Sequence, residues 1–102
     1  MSEQQINVNI DPDKVDAKYS DQIFINTNPF GFVFDFAQAI PQMNMIKILS
    51  RVAMSPEHAK AFANALNNVL KQYEAQNGDI KLTQEMKDET GKGQIGFNIK
   101  EK

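Results

Sequence analysis

The sequence contains no cysteine, no tryptophan and one histidine, His58. Without cysteine, the chain can form no disulfide, thiolate metal site or cysteine nucleophile. A zinc site built on His58 would want a second histidine four residues later, where the chain has Phe62. We therefore predict no catalytic residue, no metal site and no cofactor, and we expect a protein that is not an enzyme.

Neither sign of charge dominates the composition. The chain has 11 lysines and arginines against 13 acidic residues, a net charge of −2. Proteins that bind nucleic acid through its phosphates usually carry a basic excess. The balance therefore argues against a nucleic-acid partner, although Lys47, Arg51 and Lys60 could line a small basic surface.

Long apolar runs are also missing. None approaches the roughly 20 residues that a membrane-spanning helix needs. Residues 1–5 lack the basic and apolar regions of a signal peptide. We therefore expect a cytoplasmic protein with no membrane partner.

The strongest pattern in the chain is an alternation of phenylalanines at positions 30, 32, 34 and 36. A period of two is that of a β-strand, whereas a helix would scatter the four rings around its circumference. The pattern predicts a strand over residues 30–37 with Phe30, Phe32, Phe34 and Phe36 in the core. An aromatic platform for a ligand would need basic neighbours, and Asp35 is the only charge nearby.

Three further segments have strand-like patterns, over residues 6–10, 23–26 and 45–54. Proline or asparagine-rich turns separate them. The last of these predicted strands has Ile46, Ile48 and Val52 on one face and Met45, Lys47, Leu49 and Arg51 on the other. Because one helix can cover only one side of a small sheet, the other side is predicted to meet another subunit.

A helix is predicted from Pro56 to about Gln76. Ser55 can cap the first amides, proline fits the first helical position, and Asn77 and Gly78 stop the helix. Apolar residues recur at spacings of three and four, as on one helix face. The chain therefore predicts an α+β domain over residues 1–78, with an antiparallel sheet of about four strands followed by one long C-terminal helix.

Residues 79–102 are mostly charged and polar, which predicts a flexible tail. Ile95, Phe97 and Ile99 alternate with other residues near its end. A late strand over residues 94–100 that docks on a sheet edge and a disordered tail are equally consistent with this pattern.

Asp35 could face Lys47 or Arg51 across an antiparallel pair of strands. We predict that Asp35, Lys47, Leu49 and Arg51 form an interaction surface on the sheet face that the helix leaves free. A structural ion pair or an interface contact is favoured over catalysis, because no second acid, nucleophile or pocket can be identified.

Two motifs resemble a known family. The segments from Ser50 to Lys60 (SRVAMSPEHAK) and from Phe32 to Phe36 (FVFDF) are similar to short uncharacterised bacterial proteins catalogued as a domain of unknown function. The likeness spans roughly residues 5–76. It implies no activity, and no site residue carries over. Members of that family often have an asparagine late in the helix, where this chain has Val69.

The leading functional hypothesis is a non-enzymatic interaction module that forms a homodimer or larger homo-oligomer through its sheet. An unidentified protein is a further candidate partner. The alternatives are a chaperone-like or scaffold protein that binds apolar client segments, and a weak nucleic-acid binder.

Overall fold

A computed structural model of the chain describes residues 5–84, 86 and 94–95. Among these residues, three antiparallel strands precede a long helix, and a two-residue strand follows it. Short 3-10 turns lie at Pro12–Lys14 and Pro41–Met43. The main elements are β1 (Gln22–Asn28), β2 (Gly31–Ile40), β3 (Met45–Met54), α1 (Pro56–Asn77) and β4 (Gln94–Ile95). The strand order in the sheet is β3-β2-β1-β4, so the predicted α+β fold is confirmed.

The prediction of a strand over residues 6–10 is wrong, and within the described residues three strands rather than about four precede the long helix. Ile6, Val8 and Ile10 are exposed. An alternating pattern forms a strand only where a neighbouring strand pairs with its backbone. No strand of the described chain pairs with this segment.

A two-residue loop, Pro29 and Phe30, joins β1 to β2. Asn28 closes it, because its Oδ1 accepts hydrogen bonds from the amides of Phe30 at 2.8 Å and Gly31 at 3.1 Å. Phe30 therefore lies at the tip of the hairpin and is 88% exposed, so its predicted place in the core is wrong. A Cβ atom on Gly31 would overlap the carbonyl oxygen of Met54, which explains the glycine.

The other three phenylalanines of the alternating set are Phe32, Phe34 and Phe36. They lie on one side of the sheet, which we call the phenylalanine face. Strand pairing places Ile23, Ile25, Val52 and Met54 on the same side. The rings of Phe32 and Phe34 stack with centroids 6.2 Å apart. Phe34 also meets Phe62 of α1 edge to face at 6.0 Å, and this contact fixes the helix on the phenylalanine face.

Helix α1 begins and ends as predicted to within one residue. The amide of His58 donates to the Ser55 Oγ at 3.2 Å, and Pro56 takes the first helical position. At the other end, Gly78 has a φ of 90° and its amide donates to the Glu74 carbonyl at 2.9 Å. A left-handed backbone at this position favours glycine.

Strand β4 pairs antiparallel with β1, with Ile95 opposite Ile23 and Gln94 opposite Phe24. The rest of the predicted late strand, residues 96–100, lies outside the described residues. The division into a domain over residues 1–78 and a flexible tail stays a prediction.

Candidate interaction surfaces

An ion pair joins β2 to β3 on the side of the sheet opposite the phenylalanine face. Asp35 and Arg51 are partners in the strand register, and the Arg51 Nε donates to the Asp35 Oδ1 at 2.7 Å. The Asp35 side chain is 7% exposed and that of Arg51 is 66% exposed. The pair joins a buried carboxylate to a solvent-exposed guanidinium, and it links β2 to β3 in this register.

A bulge in β3 divides the four residues of the predicted interaction surface. Phe36 pairs with Ser50 and Ala37 pairs with Ile48, so Leu49 is the extra residue. Beyond the bulge, Lys47 pairs with Gln38, which points to the phenylalanine face. Lys47 therefore lies on the opposite side of the sheet from Asp35 and Arg51, and the predicted grouping of the four residues on one face is wrong.

Leu49 also belongs to the phenylalanine face. With Phe36 and Val52 it lines a cavity of about 620 Å³ that the segment around Lys14 and Lys18 borders. The bulge likewise moves Ile46 and Ile48 to the side of Asp35. Apolar residues thus occur on both sides of β3, as predicted, but in a different arrangement.

The three cations considered for nucleic acid do not form one patch. Arg51 lies on the Asp35 side and is engaged by that carboxylate. Lys47 lies on the other side, and Lys60 is a helical residue that borders an apolar groove. A phosphate backbone would therefore not meet the three charges together.

That groove runs between the phenylalanine face and the first half of α1. Its volume is about 550 Å³, and Lys60 is the one charged residue among those that line it. The sheet side is formed by Ile23, Ile25, Phe32, Phe34 and Phe36, and the helix side by Pro56, Ala59, Lys60, Phe62, Ala63 and Leu66. Volumes of this size are typical of sites that hold an apolar ligand or segment.

The apolar stripe of α1 continues beyond the groove into solvent. The stripe consists of the helical residues that recur at spacings of three and four: Ala59, Phe62, Ala63, Leu66, Val69, Leu70 and Tyr73. Ala59, in the first turn, is buried, but Val69 is 58% exposed and Tyr73 is 54% exposed. Leu66 and Leu70 are exposed as well. Sequence periodicity identified this stripe correctly as one face of the helix, and the sheet of the same chain covers only its first turns.

Ser55 and His58 lie together but form a helix cap. The Ser55 Oγ is 2.8 Å from the His58 Nδ1 and accepts from the His58 amide. A base and nucleophile would need a third group to orient the imidazole, and none is bonded to it among the described residues. The described chain also contains no group of three or more metal-ligating side chains.

Gln22 is a polar side chain that sequence reasoning did not single out. It pairs with Ala37 on the Asp35 side of the sheet and is fully buried. Its Oε1 and Nε2 have no hydrogen-bond partner within the part of the chain described here. The pattern of apolar and polar residues around Gln22 is no different from that around an exposed glutamine, so it gives no signal of this burial.

These features define an α+β protein with a small antiparallel sheet, one long helix and an apolar groove between them. The chain belongs to the family of proteins of unknown function DUF3467, whose profile matches residues 1–82. No curated protein and no solved structure matches the chain significantly. Within the described residues, no helix has the length and apolar character needed to cross a membrane.

Proposed function

We propose that this chain is a non-enzymatic interaction module that self-associates into a homo-oligomer. The observation that carries the proposal is the apolar stripe of α1, which extends past its own sheet into solvent. A bacterial, cytoplasmic setting is part of the same proposal. The family carries no assigned activity, so the proposal stands on the surfaces of this chain.

The core of a single copy is small. Among the described residues, the buried apolar residues are Phe34, Ala37 and Ala59. The exposed large apolar residues of the helix are Phe62, Leu66, Val69, Leu70 and Tyr73. Burying an apolar side chain of this size contributes roughly 1.5–3 kcal/mol. A partner that covers the stripe would therefore add a large share of the stability of the folded chain.

Helical residues that are apolar at spacings of three, four and seven form the standard contact face of a helix with another helix or a groove. Large contiguous apolar surfaces that are exposed mark interaction sites in soluble proteins. Polar chemistry is sparse around the groove, where Lys60 is the single charged residue. This arrangement supports binding rather than catalysis.

Sedimentation equilibrium tests the proposal directly. We expect a mass of at least twice the chain mass of 11.5 kDa at micromolar concentration. Dilution should lower the average mass reversibly, because association follows mass action. A constant mass of one chain across this range would contradict the proposal.

The groove supports a second candidate, a chaperone-like or scaffold protein that binds apolar client segments. Its volume of about 550 Å³ and apolar walls would accept a few apolar side chains of an extended or helical client. We propose this candidate only for the groove, whose walls come from the sheet and the first half of α1.

The client hypothesis has its own test. A chemically denatured apolar protein should aggregate more slowly when it is diluted into excess of this chain, measured by light scattering. Ala63→Lys, which places a charge in the groove wall, should remove that protection, while Asn68→Lys on another face should keep it. Equal aggregation with and without the chain would remove the client hypothesis but would leave self-association untouched.

A further inference from the structure

We propose that two copies associate by placing their α1 helices antiparallel about a two-fold axis at Leu66, so that the distal half of each helix fills the groove of the other. This inference rests on the proposed self-association and specifies its interface. The occupant of the groove is then a second copy of this chain.

The stripe of α1 is symmetric about Leu66. Ala63 and Val69 lie three residues before and after it, and Phe62 and Leu70 lie four residues before and after it. Ala59 and Tyr73 lie seven residues away on either side. In an antiparallel pair with its axis at the central residue, each position lies level with its mirror position in the partner. Every apolar residue of the stripe therefore lies level with an apolar residue of the partner.

Side-chain sizes across this arrangement are complementary. The positions before Leu66 include the small residues Ala59 and Ala63, and their mirror positions hold Tyr73 and Val69. Small residues opposite large ones let two helices interdigitate. The groove lies beside both alanines and is about 550 Å³ in volume, so the space exists where the large partner side chains would arrive.

The length of the helix fits the same axis. Helix α1 spans Pro56–Asn77, and Leu66 lies at its middle. Two copies centred on Leu66 therefore overlap along the whole helix, roughly 33 Å at 1.5 Å per residue. Together with the groove walls, such an overlap can reach the roughly 800 Å² per partner that a stable complex of standard size buries.

Charges do not oppose the pairing. About the Leu66 axis, Glu74 meets His58 and Lys60 meets Gln72. Glu57 and Lys71 meet alanines at 75 and 61. At these mirror positions of α1 no two like charges lie level with each other, so repulsion between the two helices does not select against this geometry.

Cysteine cross-linking tests the axis, because the chain has no cysteine of its own. Leu66→Cys places one thiol of each copy near the two-fold axis. A short bis-maleimide should shift most of the chain from 11.5 kDa to twice that mass on a denaturing gel. Asn68→Cys, on another face of the same helix, should remain at the single-chain mass under the same conditions.

A second experiment guards against weakened association in Leu66→Cys. An equimolar mixture of Ala63→Cys and Val69→Cys should give a cross-linked dimer that neither variant gives alone, because these are mirror positions. A dimer in sedimentation that cross-links through Ile48→Cys on the edge strand β3, and not through these sites, would overturn the interface and leave self-association standing. Equal cross-linking at every site would also overturn it, and a monomer in sedimentation would remove both proposals.

Discussion

Arg51→Met should lower the free energy of unfolding by about 1–3 kcal/mol, the range for a buried polar group that loses its partner. The loss of stability arises at Asp35, whose carboxylate would stay buried without its partner. The Asp35 side chain is 7% exposed, while that of Arg51 is 66% exposed. The guanidinium is the partner of this carboxylate among the described residues. Urea unfolding followed by circular dichroism, at one fixed protein concentration, measures the change.

Lys47→Met is the matched control for this prediction. It removes an exposed cation from the same strand, on the opposite side of the sheet, and should change the stability by less than about 0.5 kcal/mol. The double variant Asp35→Val, Arg51→Met removes both charges and should recover most of the loss, since a buried charge and its partner are often replaceable by apolar residues. Equal losses for Arg51→Met and Lys47→Met would show that the ion pair contributes nothing specific.

The ion pair also shows how much of the sheet could be predicted from the sequence. A strand over residues 45–54 and a strand that includes residues 31–37 are strongly periodic, and both are present. An antiparallel pairing of these strands makes Asp35 and Arg51 possible partners, and they are partners. Local periodicity and a short connection were enough to predict this part of the fold.

The bulge at Leu49 was not predictable in the same way. It inserts one residue between the partners of Phe36 and Ala37, and no residue type in the segment marks it. One extra residue reverses the side of every position beyond it. The prediction that Lys47 shares a face with Asp35 failed for this reason, while Arg51, on the near side of the bulge, was predicted correctly.

The predictions for Phe30 and for residues 6–10 were wrong for a different reason. Both rest on an alternating pattern, but alternation indicates only which side chains would share a face if the segment were a strand. The Asn28 side chain closes the turn by accepting two backbone hydrogen bonds, and Phe30 therefore lies in the loop. Pairing with a neighbour decides whether a strand forms, and that information is not local.

The helix stripe was predicted from the sequence, but its partner was not. Periodicity assigns Phe62, Leu66 and Tyr73 to one face without saying what covers that face. In the structure the sheet covers only the first turns of the helix. One part of the stripe is therefore buried and the other is exposed, although the sequence pattern is the same in both parts.

Val69→Lys should weaken self-association by roughly 100-fold or more. Val69 is 58% exposed in the single chain, so the substitution should change the fold of one copy little. In the proposed dimer each copy contributes one Val69, and the substitution therefore enters the interface twice. A penalty of about 1.4 kcal/mol at each site is enough for a 100-fold change in the dissociation constant, and burying an ammonium group costs at least that unless its stem carries the charge to water.

The decisive comparison is between Val69→Lys and Asn68→Lys. Both add one positive charge to adjacent positions of the same helix, but Asn68 lies outside the apolar stripe. Sedimentation velocity across a dilution series should give dissociation for Val69→Lys at concentrations where Asn68→Lys and the parent chain remain associated. Circular dichroism of each variant should keep the helical signal, which separates loss of the interface from loss of the fold. If both lysines weaken association equally, the effect is one of net charge, and the stripe of α1 is not the surface that joins the copies.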